Sequence, residues 1–186
     1  VEEKLPVEKN VFLVSDLSNI LPKEVRPLTN GEEDSTVKIL NRNFDFKVTP
    51  ELSGIRLNRS YGYIGAEQHL VRFPGDTMAP HLDPEGKMFY ASGMAPGKGA
   101  WGYFADSRES LTGRDVDREK WYIAVQTFLV PDYNSRVGEY RDFFKYRKML
   151  VVNSQTGQAA VCDIADAGPA EWTGKHLGGS PEVMDF

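Results

Sequence analysis

The sequence predicts a mainly β protein: residues 91–186 form a compact β-barrel, and residues 1–90 form an N-terminal extension or small mixed domain. Three observations lead there. Met149-Leu150-Val151-Val152-Asn153 and the apolar run that begins at Gln158 are β-prone, and the polar link Ser154-Gln155-Thr156-Gly157 joins them as a hairpin. Trp121 to Val130 is the strongest strand candidate, an aromatic and β-branched run that stops at Pro131-Asp132. Ser180-Pro181-Glu182 then opens a short closing helix, with Ser as N-cap and Pro at the first helical position. Strands, a motif-bearing loop and a terminal helix favour a barrel over a sandwich.

The remaining elements follow in chain order. Val11 to Val14 reads as a strand and Asp16 to Leu21 as a short turn of helix. Gly31 to Thr36 (Gly-Glu-Glu-Asp-Ser-Thr) has no packing capacity and reads as a solvated loop. Val37 to Val48 alternates like a hairpin around Asn41-Arg42-Asn43, ended by Thr49-Pro50. Gly93 to Tyr103 is Gly-rich without the order of a phosphate-binding loop, and feeds a strand from Ala100 to Ala105. Gly138 to Tyr146 reads as a short helix. There is no internal repeat and no low-complexity tract.

Composition excludes several function classes. A chain of 186 residues can bury a sizeable core without disulfides. Its formal net charge of -5, with no basic cluster, argues against nucleic acid as a partner. No stretch approaches the roughly 18 apolar residues of a membrane span. The single cysteine, Cys162, excludes an internal disulfide and a cysteine-based zinc site, and it lies on an apolar strand face as a small core residue. With no initiator Met, no signal peptide and a helix opening just before Phe186, the chain is expected to be a processed or trimmed form of a longer protein.

The functional centre is expected at Val161-Cys162-Asp163-Ile164-Ala165-Asp166-Ala167-Gly168-Pro169. Alternation puts Ala160, Cys162, Ile164 and Asp166 on one face, so a carboxylate arrives on the core side as the strand ends. An Asp in this position also caps turns through its side-chain oxygens, and both roles stay open. Asp163, on the opposite face, is expected to meet solvent or pair with a lysine. His69 and His81 fall near Glu67, Asp76 and Asp83. Imidazole and carboxylate are competent ligands, and a metal-dependent enzyme is a third, weaker reading. Their spacing matches no zinc motif, so hydrogen-bonded loop histidines are expected, with no metal ligand and no cofactor assigned.

The segment Val151 to Phe186 resembles the closing half of a six-stranded double-psi β-barrel of the RlpA-like/barwin/expansin-like superfamily. The resemblance is carried by Val151-Val152-Asn153, Thr156-Gly157, Ala160 to Ile164, Asp166-Ala167-Gly168-Pro169, Thr173-Gly174-Lys175 and Ser180 onward. Gly99-Ala100-Trp101-Gly102-Tyr103-Phe104 resembles the opening Gly/aromatic strand, and Tyr122-Ile123-Ala124-Val125 the second. It covers roughly Gly97 to Phe186.

What the resemblance implies is a secreted or periplasmic cell-envelope protein with a polysaccharide-facing groove. Its peptidoglycan-acting members are lytic transglycosylases. In these an Asp protonates the glycosidic oxygen, and the muramic acid 6-hydroxyl closes onto the anomeric carbon. By position Asp166 is the acid/base, and Trp101, Tyr103, Trp172, Thr173, Lys175 and His176 are the substrate-binding residues. Peptidoglycan is the implied partner, and a non-catalytic module binding polysaccharide or protein on the same barrel is the alternative. Two departures stand out: the family's second Asp falls near Gly178, and Gln126 stands near the place of a strand-ending His. His176 and Asp185 are near the first position without matching it.

Overall fold

The computed structural model describes residues 7–81 and 93–186. The chain divides into two compact units, residues 1–63 with 150–161 and residues 64–149 with 162–186. The boundary expected between residues 90 and 91 lies outside the described residues, as does Asp83.

The first unit is built on two helices, α1 (Val7–Ile20) and α2 (Asn30–Asn43). α2 replaces expected non-helical segments; α1 does so over Val11 to Val14, while the turn of helix expected from Asp16 forms its second half. Val11 to Val14 lies within α1, the charged run Gly31 to Thr36 forms the opening turns of α2, and Val37 to Asn43 is its second half rather than a hairpin. The physical reason is a helix start that outweighs the charge of the run. Thr29 accepts from the Glu32 backbone N–H while the Glu32 carboxylate accepts from the Thr29 N–H, a reciprocal capping box. Arg26 holds the same carboxylate through two hydrogen bonds. Glu33 is buried because Arg56 and Ser60 both donate to it.

Spacing by four brings Leu13 and Leu17 to one face of α1, where they pack with Phe44 and Ala159 and are flanked by Leu21, Ile39, Leu40, Leu150 and Val152. The small hairpin β1 (Glu51–Leu52) and β2 (Ile55–Arg56) turns through Ser53 and Gly54, both at positive φ, as a two-residue hairpin turn demands.

The second unit carries a mixed sheet. In spatial order its strands are β3 (Ile64–Ala66), β7 (Leu177–Gly179), β4 (Tyr122–Val125), β6 (Ala159–Ala167) and β5 (Lys148–Val152). The outer parts of β5 and β6 group with the first unit. β3 pairs β7 in parallel, β4 pairs β6 in parallel, and β4 pairs β7 antiparallel. Among the described residues the sheet has five strands and does not close into a barrel, and α3 (Gly113–Lys120), α4 (Val137–Phe144) and α5 (Pro181–Asp185) accompany it. The expectation of a mainly β chain therefore holds only in part.

The expected hairpin is β5 and β6, and the expected helices near Gly138 and after Ser180 are α4 and α5. Ser180 caps α5 by accepting from the Val183 N–H at 3.2 Å and donates to the Lys120 carbonyl. Two strand expectations need correction. The run from Trp121 is extended only over β4, and Thr127–Leu129 is a 3-10 turn. Buried Gln126 breaks it, its amide donating to the carbonyls of Pro169 and Lys175 instead of continuing a ladder. Residues 100–105 form turns and bends around the isolated Gly99–Gly102 bridge, because Gly102 takes positive φ.

Candidate functional site

Asp166 stands near the C-terminal end of β6, and its Oδ1 accepts from the backbone N–H groups of Ala100 at 2.7 Å and Ala167 at 2.9 Å. Oδ2 makes no hydrogen bond among the described residues. The turn-holding role is thus taken by one oxygen and the other is left over. Burial pushes the carboxyl above its ordinary range, against the pull of the two amides.

Strand register sets what surrounds it. Asp166 is opposite Ala124, Ala124 is opposite Gly178, and Gly178 is opposite Gly65, one row across β6, β4, β7 and β3. A register shift between Ile123 and Ala124 breaks the expected alternation of Ile164 with Asp166 and sets Asp166 opposite Ala124; partners across a ladder share a face, so the row is an acid followed by three residues with little or no side chain. Other side chains fill that space. A Cβ built on Gly178 would stand 2.3 Å from Glu67 Oε1 and 2.4 Å from its Cγ; one on Gly65 would stand 2.5 Å from Lys175 Cδ. Glu67 therefore lies over Gly178, and Lys175 lies over Gly65.

Lys175 Nζ donates to the Ala66 carbonyl at 2.8 Å and approaches Glu67 Oε1 to 3.8 Å. Glu67 is pushed upward, first by burial and then by the charge of Asp166, with Lys175 opposing. No local signal in the sequence marks Glu67 as a partner of Asp166. The two meet through a sheet joining segments about a hundred residues apart in the chain.

The other expected site residues are distributed unevenly. Trp101 is 4 % exposed, and its indole N–H donates to the Ile164 carbonyl at 3.1 Å, so it is a core residue and offers no open stacking face. Tyr103 is 39 % exposed, with the Lys98 ammonium 5.9 Å from its ring centre. Trp172 is 89 % exposed on the 3-10 turn Glu171–Thr173. Thr173 shapes that turn, its hydroxyl donating to the Ala170 carbonyl and accepting from the Lys175 N–H. His176 is half-buried just before β7. Asp163 is buried and paired with Lys148 at 2.7 Å. Cys162 is fully buried, and burial pushes its thiol up to about 12, which makes it inert as a nucleophile.

His69 and His81 do converge, around a carboxylate that spacing did not flag. Glu119, on α3, receives five donors: Leu70 N–H at 3.0 Å, His69 Nδ1 at 3.1 Å, Arg72 Nε and Nη2 at 2.9 and 2.6 Å, and His81 Nδ1 at 3.1 Å. His81 Nε2 meets Asp76 Oδ2 at 2.7 Å. Burial opposes ionisation of Glu119, yet the two histidines and the Arg72 charge outweigh it and hold the carboxyl down at about 2.

Donor atoms of His69, His81 and Glu119 lie within 4.8 Å of one another, close enough to share a cation. The Arg72 guanidinium, donating twice to Oε2, already neutralises Glu119, and the arrangement is that of a hydrogen-bonded ion network. Glu182, on α5, lies 4.0 Å from His69 Nδ1, is pushed upward by burial, and its carboxylate oxygens have no hydrogen-bond partner among the described residues. The network fixes the segment from His69 to Arg72, and Tyr122 adds a hydroxyl donated to the Gln68 carbonyl at 2.5 Å. Glu67 is thereby held from its C-terminal side.

Compared with family models, with curated proteins and with solved structures, the chain matches none.

Proposed function

We propose that this chain is a cell-envelope protein that acts on the glycan strands of peptidoglycan, cleaving them in the manner of a lytic transglycosylase with Asp166 as general acid/base. The observation that carries the reading is the state of Asp166. It is a carboxyl at a strand end, raised by burial, with one oxygen anchored by two amides and the other without a hydrogen bond among the described residues. A raised pKa is what a carboxylic acid needs to hold a proton near neutrality. In this chemistry Oδ2 gives its proton to the glycosidic oxygen as the C1–O bond breaks. The sugar's own 6-hydroxyl forms the new bond to C1, and its proton returns to the protein.

The resemblance to the double-psi barrel that supports this reading rests on Asp166-Ala167-Gly168-Pro169, which begins in the last two residues of β6. Secretion to the envelope is part of the same proposal. The test is digestion of purified peptidoglycan by wild type and Asp166→Asn, which keeps the anchoring oxygen. Anhydro-muropeptides from wild type, lost in a variant that melts normally, support the reading; equal product from both overturns it.

One observation favours a second reading, a non-catalytic glycan- or protein-binding module. Trp172 presents almost its whole ring to solvent beside Thr173 and Lys175. Retention on sacculi with no cleavage by wild type selects that alternative.

A further inference from the structure

The row of small residues beside Asp166 assigns a second acid. We infer that Glu67 is a second catalytic carboxyl of this site, working opposite Asp166 across Ala124; the inference rests on the reading of Asp166 as acid/base. The geometry comes from the backbone. Asp166 and Gly178 flank Ala124 on the two neighbouring strands, so their Cα atoms are about 10 Å apart at the usual strand spacing. Glu67 leans over Gly178, which has no side chain to exclude it, and its Oε1 is buried without a hydrogen-bond partner among the described residues. The methyl of Ala124 is the side chain of the row between them. Paired carboxyls that act through an intervening hydroxyl or water stand roughly 6.5–9.5 Å apart, a separation this backbone spacing accommodates.

The charged and titratable groups facing Glu67 are Lys175 ahead of β7, Asp166 on β6 and Tyr122 on β4. Two carboxyls in mutual electrostatic reach hold one proton more readily than none or two. Lys175, 3.8 Å from Glu67, favours Glu67 as the ionised member, which leaves the proton on Asp166. Asp166 then delivers its proton to the leaving oxygen as the C1–O bond breaks. Glu67 takes the proton of the attacking hydroxyl as the new C1–O bond forms. One proton has moved from Asp166 to product and one from substrate to Glu67, and exchange through solvent restores the start. The attacking hydroxyl is the substrate's own 6-OH, or water if the product is a reducing end.

The experiment compares wild type, Asp166→Asn, Glu67→Gln and Glu67→Asp on purified peptidoglycan, with melting curves, retention on sacculi and full pH profiles. A parallel carboxyl-carbon NMR titration follows Asp166 in wild type and in Glu67→Gln. The inference expects Glu67→Gln to lower turnover about 100-fold or more. Retention and melting should stay unchanged, one limb of the pH profile should vanish, and Glu67→Asp should restore part of the rate. In Glu67→Gln the titration of Asp166 should move to lower pH, because a neighbouring negative charge has gone. Cleavage lost in Asp166→Asn but kept within twofold in Glu67→Gln overturns the inference and leaves the Asp166 reading standing. No cleavage by wild type, or full cleavage by Asp166→Asn, overturns that reading and the inference with it. An unmoved Asp166 titration shows that the two groups do not interact and overturns the pair by itself.

Discussion

Glu119 and Asp166 belong to the same compact unit and are opposite solutions for a carboxyl taken out of water. Glu119 is surrounded by an arginine, two histidines and a backbone amide, and is held down at about 2. Asp166 has two amides on one oxygen, no cation in hydrogen-bond contact among the described residues, and is pushed up. Glu67 resembles Asp166, for its single cation approaches only to 3.8 Å. The difference teaches where each charge belongs in the argument. A fully compensated buried carboxylate holds elements together and is chemically quiet, whereas an under-compensated one is costly to the fold and holds its proton to higher pH than an exposed carboxyl.

The largest effect that would break the comparison is on the compensated side. Glu119→Ala leaves Arg72 and His81 buried without their acceptor, and should cost about 3–5 kcal/mol of unfolding free energy in denaturant titration. A loss near zero would mean that the network is not structural. Acid offers a second test without mutation. Glu119 is depressed in the folded state, so its contribution is fully present above about 4.5 and is lost as pH falls through about 2.

Asp166 and Glu67 have the reverse sign. Their folded values are raised, so stability falls as pH climbs from the ordinary carboxylate range through the raised one. Asp166→Asn should therefore flatten the neutral side of the stability–pH curve while leaving the acid side in place. An unchanged curve would remove the distinction between the two regions.

A smaller effect sharpens the geometry. Gly178→Ala puts a methyl into space held by Glu67, and should cost about 1–3 kcal/mol from overpacking while displacing that carboxyl. A crystal structure of the variant, or the Glu67 titration in it, reads the displacement. Smallest of all is Trp172→Ala. An 89 % exposed ring contributes little to packing, so stability should change by no more than about 0.5 kcal/mol, while retention on sacculi falls if this ring stacks on sugars. A large loss of stability would instead make Trp172 structural.

The parts of the fold legible beforehand are those whose chemistry is local. The β5–β6 hairpin was readable from two apolar runs around a polar link, and α5 from Ser180-Pro181. The signal for α2 is subtler and lies in Thr29 and Glu32, three apart at a helix start. Charge in Gly31 to Thr36 argued for a loop, but the capping box and the burial of Glu33 against Arg56 and Ser60 outweighed it. Asp166 is legible as a candidate from its place at a strand end, Trp101 is a core residue rather than a stacking one, and Glu119 carries no mark in the sequence. It looks like one more charged residue on a polar helix until Arg72, His69 and His81 arrive from another part of the chain.

By itself the sequence determined the local choices: which segments turn, where α5 is capped, that an acid follows an apolar strand, and that Gly65 and Gly178 carry no side chains. Tertiary structure alone decided which groups share a dielectric environment. Alignment of β6, β4, β7 and β3 put Asp166, Ala124 and two glycines in a row and brought Glu67 and Lys175 over the gap. The physical reason is range. Capping and turn chemistry act over a few residues, whereas the energy of a buried carboxyl depends on neighbours that only long-range pairing supplies.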